Sequence, residues 1–307
     1  MEGDQAAQLR HLKNGGDARD SMTKGTDRSG FHCDQRDSSI RVIAITSGKG
    51  GVGKTNITAN LGYFLSKMKK RIMIIDADMG LANIDLILGL TPKYNLYHVL
   101  KGERTIADTL MVGPGGIKIL PSASGIQEIT ELSKGQKLAL LDELNAVNEN
   151  LDFVLIDTGA GIAGNVMYFN MAAKEIIVVT SPEPTSLTDA YALIKILYRR
   201  YARKRFRILV NMVKDPAEGK EIFKRLSHAT DHFLNITIEY LGYILYDDKL
   251  PEAVKRQKAL AELHPYAPAS KCMASLAEKL GMEDMPVQDE QGSIKFFWDN
   301  IINTNHG

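Results

Sequence analysis

The chain has 307 residues, of which 44% are apolar and 24% charged, as in an ordinary folded protein. Its formal net charge of +1 argues against a general nucleic-acid binder, although a local basic patch would not show in that sum. Two cysteines, Cys33 and Cys272, are too few for a disulfide framework or a thiolate metal site. With no secretory signal and no run of about 18 apolar residues, we expect a cytoplasmic protein without a membrane-spanning helix.

Residues 1–38 differ in composition from the rest of the chain. A short helical pattern at 4–10 (DQAAQLR) precedes a stretch rich in Gly, Asp, Ser and Arg at about 13–38. So polar a stretch cannot bury enough surface to offset the entropy lost on ordering. We therefore predict a flexible N-terminal segment that carries one short helix.

From Arg41 onward, apolar runs alternate with longer amphipathic stretches. The predicted strands are 42–46, 72–75, 117–120, 153–156, 176–180, 208–213 and 238–244. The predicted helices include 56–69, 136–149 and 188–201. Continuous apolar strands that alternate with helices predict an α/β fold, a mostly parallel twisted sheet with helices on both faces. No break in composition interrupts residues 39–282, so we expect one domain there.

A phosphate-binding loop follows the first predicted strand. Residues 48–55 (GKGGVGKT) match the pattern GxxxxGK[ST] and stand between a strand and a helix, as the chemistry requires. Glycines let several backbone N–H groups point at a phosphate, and the next helix adds its positive end. The predicted nucleotide-binding residues are Gly48, Lys49, Gly50, Gly51, Val52, Gly53, Lys54, Thr55 and Asn56. Lys54 is expected to reach the β- and γ-phosphates and Thr55 to ligate Mg²⁺.

Aspartates end two of the predicted strands. Asp76 and Asp78 close the second strand, and Asp157 closes the strand at 153–156. Ligands of open parallel sheets bind beyond the carboxyl ends of the strands, so these side chains are expected near the phosphates. A single acid in such a place is often only a turn or cap residue. Three of them beside a phosphate loop favour catalysis and metal binding.

The chain resembles the MinD/ParA family of ATPases along its whole length. Residues 49–55 (KGGVGKT) are similar to the deviant Walker A motif of that family, whose first lysine reaches the nucleotide of the partner subunit. The resemblance implies that Lys49 stabilises charge on the γ-phosphate of ATP across a homodimer formed in the ATP state. Without it, Lys49 would be read as a solvated loop charge.

By the same resemblance, Asp157 is the Walker B carboxylate that holds Mg²⁺, directly or through water. Asp78 is similar to the residue that positions the attacking water, with Asp76 near the metal, and which of this pair orients water stays open. Asn211 follows an apolar strand at the position where relatives contact adenine, and no N-K-x-D guanine-reading loop is present. An asparagine there could equally be a turn residue.

Three segments are similar to the FlhG-type flagellar regulators of that family. They are residues 78–85 (DMGLANID), 182–191 (PEPTSLTDAY) and 4–10. The resemblance implies control of flagellar number and placement through an FlhF-type GTPase that the N-terminal helix binds and stimulates. The implied contact residues are Asp4, Gln5, Leu9 and Arg10. A flagellar basal-body component is a further candidate partner, and a helix with no partner is the alternative.

A short amphipathic pattern follows a polar linker that begins at residue 283. The apolar residues at the spacing of one helix face are Ile294, Phe297, Trp298, Ile301 and Ile302. The ten residues 293–302 rise only about 15 Å, too short to cross a bilayer but suited to lie in its surface. MinD-like proteins carry such a helix, so the resemblance implies reversible peripheral binding at the inner face of the cell membrane. Packing of the helix on its own domain is the alternative.

Other functions are weighed against this reading. A cell-division MinD shares the phosphate loop and the C-terminal helix, but residues 1–38 speak against it. A ParA-type DNA-segregation ATPase needs a basic surface and a DPQ motif, and neither the balanced charge nor residues 78–80 (DMG) fits. Electron transfer as in nitrogenase iron proteins needs two cysteines after the switch strands, where this chain has none.

Overall fold

The computed structural model describes residues 40–78, 83–95, 98–99, 101–121, 143, 147 and 151–283. The predicted helices at 4–10 and 293–302 and the N-terminal linker lie outside the described residues. Of the predicted helix at 136–149, only residues 143 and 147 are described, and both are helical.

The elements alternate along the chain as the apolar pattern predicts. The strands are β1 (Arg41–Ser47), β2 (Ile72–Ala77), β3 (Met111–Val112), β4 (Lys118–Leu120), β5 (Phe153–Ala160), β6 (Glu175–Thr180), β7 (Arg207–Val213) and β8 (Glu239–Leu245). The described helices are α1 (Lys54–Lys67), α2 (Ile84–Leu88), α3 (Ile106–Thr109), α4 (Gly164–Ala172), α5 (Pro184–Tyr201), α6 (Pro216–Leu234), α7 (Lys249–Lys255), α8 (Leu260–Leu263) and α9 (Pro268–Met282). None of these helices is long and apolar enough to cross a bilayer.

The eight strands form one sheet in the order β3-β4-β2-β5-β1-β6-β7-β8. Every neighbouring pair is parallel except β3 with β4. All seven predicted strands are confirmed, and so is the α/β class. The antiparallel strand β3 is an addition, because a two-residue strand is too short to show a periodicity.

Helices cover both faces of the sheet. Ile43 and Ile45 of β1 pack in the cluster that includes α1 and α9, whereas Val42 and Ala44 pack in the cluster that includes α4. Adjacent residues of a strand point to opposite faces, so a strand buried along its whole length must be apolar on both. That requirement explains why β1 and β2 are continuous apolar runs.

The direction of the parallel strands defines two edges of the sheet. The carboxyl edge is formed by the last residues of the parallel strands, and the amino edge by their first residues. Register places Asp76 directly opposite Asp157 in the β2–β5 ladder, and Asp157 opposite Ile45 in β1. The predicted aspartates and the phosphate loop therefore meet at the carboxyl edge.

Candidate nucleotide site

The loop between β1 and α1 has the backbone of a phosphate cradle. Gly51 and Gly53 have φ values of 78° and 92°, a region that side chains rarely enter. Gly53 is the N-cap of α1 and supplies no side-chain cap, so the N–H groups of the first turn are open to an anion. A Cβ on Gly48 would lie 2.1 Å from the carbonyl oxygen of Asp189 in α5, so only glycine fits there.

Lys54 points into the site and is buried. Its ammonium donates a hydrogen bond to the Ser47 hydroxyl at 2.9 Å, and that hydroxyl donates to the Lys49 carbonyl at 2.7 Å. Burial lowers the pKa of Lys54, opposed by the charges of Asp157 and Asp78. A buried ammonium with one neutral hydrogen-bond partner is suited to receive an anion such as a phosphate.

Asp157 is the most deeply buried carboxylate of the site. It is 1% exposed, its Oδ2 atom has no hydrogen-bond partner, and Oδ1 lies 3.5 Å from the Thr58 hydroxyl. Burial raises the pKa of Asp157 to about 7, opposed by a hydrogen bond from Thr55 and by Lys54, and reinforced by Asp76 and Asp78. A buried carboxylate with an orphaned oxygen beside further carboxylates is suited to bind a cation.

These donors fit Mg²⁺, which prefers carboxylate and hydroxyl oxygens. In the part of the chain that the structure describes, no three His, Cys, Asp or Glu side chains gather closely enough to hold a metal ion by themselves. Mg²⁺ commonly takes only one or two protein carboxylates and completes its shell with water and phosphate. The predicted ligands Thr55, Asp157 and Asp76 are of the right chemical type for that share, and their binding of Mg²⁺ stays a prediction.

Asp76 binds its own loop. Its Oδ1 accepts a hydrogen bond from the backbone N–H of Asp78 at 3.2 Å, and its Oδ2 accepts from Asn83 and Ile84 at 3.1 and 3.4 Å. Burial raises the pKa of Asp76 to about 6, although these three hydrogen bonds favour the charged form. Asp76 thus holds Asp78 and Asn83, the described residues on either side of the loop, by hydrogen bonds to their backbone N–H groups.

Asp78 faces the end of β5. Its Oδ1 lies 3.4 Å from the position that a Cβ on Gly159 would occupy, and its charge acts on both Lys54 and Asp157. The loop after β5 is tied to the phosphate loop, since the Gly161 N–H donates to the Ser47 carbonyl at 2.9 Å. The structure therefore brings Asp78 to the same site as the phosphate loop.

Lys49 points away from Lys54 toward the first turn of α5. It forms an ion pair with Glu183 and donates a hydrogen bond to the Thr185 hydroxyl at 2.8 Å. The side chain of Lys49 remains 36% exposed and that of Glu183 64% exposed. Sequence analysis did not find this pairing. Glu183 and Thr185 belong to the 182–191 segment singled out above, which is the one signal for them.

Asn211 lies at the end of β7, against the phosphate loop. Its side chain is buried and donates a hydrogen bond to the Val52 carbonyl at 2.8 Å. The amide nitrogen would be 2.5 Å from a Cβ on Gly53, so the two residues are closely fitted. Asn211 braces the loop, and its predicted contact with adenine stays a prediction.

Some predicted residues fall outside the described part of the chain, and two residues of the site were not predicted. The predicted partner residues at 4–10 and the predicted membrane residues at 294–302 are outside the described residues. Ser47 and Thr58 were not predicted, although both take part in the site through Lys54 and Asp157. A serine or threonine beside a glycine-rich loop carries too common a signal to be singled out.

Comparison with known proteins identifies the family. An AAA-domain family model matches residues 40–208, more than half of the chain. The antiactivator FleN of Pseudomonas aeruginosa is 43% identical over 263 residues, which cover 86% of this chain and 94% of FleN. The flagellum site-determining protein YlxH of Helicobacter pylori is 37% identical over 226 residues, 73% of this chain and 76% of YlxH.

The fold has close counterparts among solved structures. A chain of the MinC:MinD cell division protein complex of Aquifex aeolicus superimposes with a TM-score of 0.63 at 32% sequence identity. The match covers 81% of this chain and 99% of that chain. Together with the two-lysine phosphate loop and the aspartates around it, these similarities show that the chain is an ATPase of the MinD/ParA family, in the flagellar branch that contains FleN and YlxH.

Proposed function

We propose that this protein is an ATP-driven dimerising switch that regulates the number and placement of flagella. The observation that carries the proposal is the opposite placement of the two lysines in one phosphate loop. Lys54 is buried against Ser47 inside the site, whereas Lys49 lies at the surface and pairs with an exposed carboxylate. A lysine at the rim of its own site can reach a nucleotide bound by a second subunit once it leaves this exposed carboxylate.

ATP is the proposed ligand of the loop, with the backbone N–H groups of the first turn of α1 and Lys54 on its phosphates. Thr55 and Asp157 would hold Mg²⁺, with Asp76 nearby, and the ion would neutralise charge on the β- and γ-phosphates. Asp78 would position the attacking water. Lys49 of a second subunit would stabilise charge on the γ-phosphate, and Asn211 would brace the loop and border the adenine.

The flagellar part of the proposal is supported by the relatives. FleN is named as an antiactivator and YlxH as a flagellum site-determining protein. We infer that this chain acts on an FlhF-type GTPase through the N-terminal helix at 4–10. Reversible binding to the inner face of the cell membrane through residues 293–302 would then couple the ATP cycle to position in the cytoplasm. A flagellar basal-body component is a further candidate partner.

The dimer mechanism is tested by size-exclusion chromatography with light scattering and by turnover at increasing protein concentration. We expect a monomer without nucleotide and a dimer with ATP and Mg²⁺, most fully in Asp78→Ala, which binds ATP but hydrolyses it slowly. Lys49→Gln should reduce turnover by about 100-fold or more, as removal of a charge-stabilising group commonly does. Lys220→Gln, an exposed lysine of α6, is the matched control and should hydrolyse normally.

The contrary result is easily recognised. A protein that stays monomeric with ATP and Mg²⁺, with a specific activity independent of concentration and unchanged by Lys49→Gln, would exclude the shared site.

A further inference from the structure

Exposed cations gather at the amino edge of the sheet. Helix α5 ends at Tyr201, and the connection from there to β7 also runs along this edge. The exposed cations of this stretch, which we call the basic edge, are Arg199, Arg200, Lys204 and Arg205. Within the described part of the chain, none of the four has an acidic partner within salt-bridge distance.

Acidic groups at this edge are already paired with other arginines. Glu175 forms an ion pair with Arg41 at 2.7 Å, and Glu239 and Glu283 pair with Arg207 at 3.1 and 2.7 Å. Arg203, which lies between the exposed cations, donates to backbone carbonyls at the end of α4 instead. The positive charge of the basic edge is therefore left uncompensated by the described residues.

The amino edge is also where the chain leaves the domain toward its C-terminal amphipathic pattern. Glu283, at the end of α9, is held by Arg207, which follows Arg205 by two residues. Two residues span at most about 7 Å. Arg41 adds a hydrogen bond to the Leu280 carbonyl and an ion pair with Glu283 at 3.4 Å. The segment 284–307 thus starts beside the basic edge.

A second group of cations lies near this exit, at the end of α1. A Cβ on Gly281 of α9 would lie 2.8 Å from Met68 Cε, so the end of α9 packs on the end of α1. Lys67 and Lys69 are exposed there. Further positive side chains therefore lie near the exit point.

We propose that the basic edge binds the anionic headgroups of the membrane in which residues 293–302 lie. This inference rests on the proposed membrane association and adds its lipid class. Attraction to anionic lipid needs a cluster of Lys and Arg near the inserted helix, and residues 293–302 contain only Lys295. The fold supplies the missing cluster from residues about ninety positions earlier in the chain. Nucleic acid is the competing class, and an apolar helix attached at this edge favours lipid.

The test is vesicle flotation of the full-length protein with ATP and Mg²⁺. One set of vesicles is phosphatidylcholine alone, and the other adds phosphatidylglycerol. The basic-edge variant carries Arg199→Gln, Arg200→Gln, Lys204→Gln and Arg205→Gln. The control variant removes four exposed lysines from other surfaces by Lys214→Gln, Lys220→Gln, Lys255→Gln and Lys271→Gln.

We expect the unmodified protein to prefer anionic vesicles, and salt to weaken that preference. Each basic residue near an anionic surface contributes roughly fivefold in partitioning. With four such residues removed, the basic-edge variant should therefore lose up to roughly 600-fold on anionic vesicles and nothing on neutral ones. The control variant should stay within about twofold of the unmodified protein. Unchanged basal ATPase activity shows that the basic-edge variant is folded. If that variant folds poorly, the double variant Lys204→Gln and Arg205→Gln takes its place.

Equal binding of the basic-edge variant and the unmodified protein to anionic vesicles would overturn the inference. If the unmodified protein binds anionic and neutral vesicles equally, membrane association stands and the basic edge has no part in it. If it binds neither, the proposed membrane association fails as well. A parallel measurement uses duplex DNA: loss of DNA binding with intact vesicle binding would make this edge a nucleic-acid surface and refute the lipid assignment.

Discussion

Two lysines five positions apart in the phosphate loop lie in opposite environments. Lys54 is 8% exposed and feels the charges of Asp157 and Asp78, whereas Lys49 is paired with Glu183 at the surface of its own subunit. The pairing with Glu183 and Thr185 keeps Lys49 from reaching outward. A dimer in which Lys49 acts on the partner's ATP must first break these contacts.

Removal of the Glu183 charge should therefore favour the dimer. In Glu183→Gln the side chain keeps its size, but the ion pair with Lys49 is lost. We expect the protein concentration for half-maximal ATPase activity to fall roughly two- to fivefold, in line with an exposed ion pair. Glu221→Gln, which breaks the exposed pair with Arg225 on α6, is the control and should change nothing. A higher half-maximal concentration in Glu183→Gln would contradict the idea that this contact restrains Lys49.

The buried carboxylate Asp157 predicts a pH dependence of stability. Its pKa is raised to about 7 in the folded protein, so the folded state binds more protons than the unfolded state between about pH 4 and 7. Stability without nucleotide is therefore greatest at the acidic end of that window and falls as the pH rises through 7. Asp157→Asn mimics the protonated acid and should raise the melting temperature at pH 8 by roughly 3–8 °C.

Asp157→Asn should also lose the stabilisation that Mg²⁺ and ATP together give the unmodified protein.

Asp152 is the control of opposite sign, because hydrogen bonds from Arg71 outweigh burial and lower the pKa of Asp152. Asp152→Asn should destabilise the protein at pH 8. Thermal unfolding from pH 5 to pH 8 measures both, and a lower melting temperature of Asp157→Asn at pH 8 would mean that Asp157 has an unseen compensating partner.

Sequence alone located the charged groups of the site but not their partners. Lys54, Thr55 and the three aspartates were predicted because fixed spacing and strand ends place them. The Lys49–Glu183 pair and the Asn211–Val52 hydrogen bond join residues 134 and 159 positions apart. Such contacts depend on how helices pack across the sheet, which a local pattern does not contain. For the same reason the basic edge could not be found from the net charge of +1, which sums the charges of all surfaces.

At the scale of elements, the strands were predictable because parallel strands buried on both faces are continuous apolar runs. The first residues of the helices were less predictable than the strands. Helix α5 starts at Pro184, four residues before the predicted start, because proline suits the first turn of a helix. Helix α1 starts at Lys54, directly after the left-handed Gly53, and not at the predicted residue 56. Both differences follow from cap chemistry, which an apolar period does not record.

Close packing of α5 on the phosphate loop makes Gly48 a test of element contact. In Gly48→Ala the new methyl group meets the Asp189 carbonyl at 2.1 Å, so the helix or the loop must move. We expect a loss of roughly 2–4 kcal/mol in the free energy of unfolding and weaker ATP binding. Gly164→Ala is the control, because no atom lies within 4 Å of its added methyl group. Denaturant unfolding compares the free energies of unfolding of the two variants. Equal values would show that α5 moves to accommodate the added methyl group without cost.

On the scale of the whole molecule, nucleotide chemistry and chain exits lie at opposite edges of the sheet. Arg41, the first residue of β1, and Glu283, after α9, are 3.4 Å apart. The first and last described residues, 40 and 283, therefore both lie at the amino edge. Sequence predicted two appended segments but could not show that they start side by side, since 242 positions separate these residues.

Deletion of residues 1–12 separates the appended function from the enzyme. Residues 1–12 precede the part of the chain that the family model matches, which begins at residue 40, so basal ATPase activity and the melting temperature should remain within about 20% and 2 °C of the full chain. Stimulation of an FlhF-type GTPase should be lost. Substituting Gln5 and Arg10 by alanine in the full chain should reproduce that loss. Stimulation that persists after the deletion would remove the N-terminal helix from the partner contact.

Helix α5 connects the two edges of the sheet. Its 18 residues extend over about 27 Å, from Glu183 and Thr185 beside Lys49 to Arg199 and Arg200 at the far end. When Lys49 leaves Glu183 and Thr185 for a second subunit, the near end of the helix loses only an exposed ion pair and one hydrogen bond. The rest of the helix stays packed in the core through Leu193, Ile194 and Leu197. One rigid rod would thus fix the spacing between the lysine that serves a second subunit and the cations that face a lipid surface.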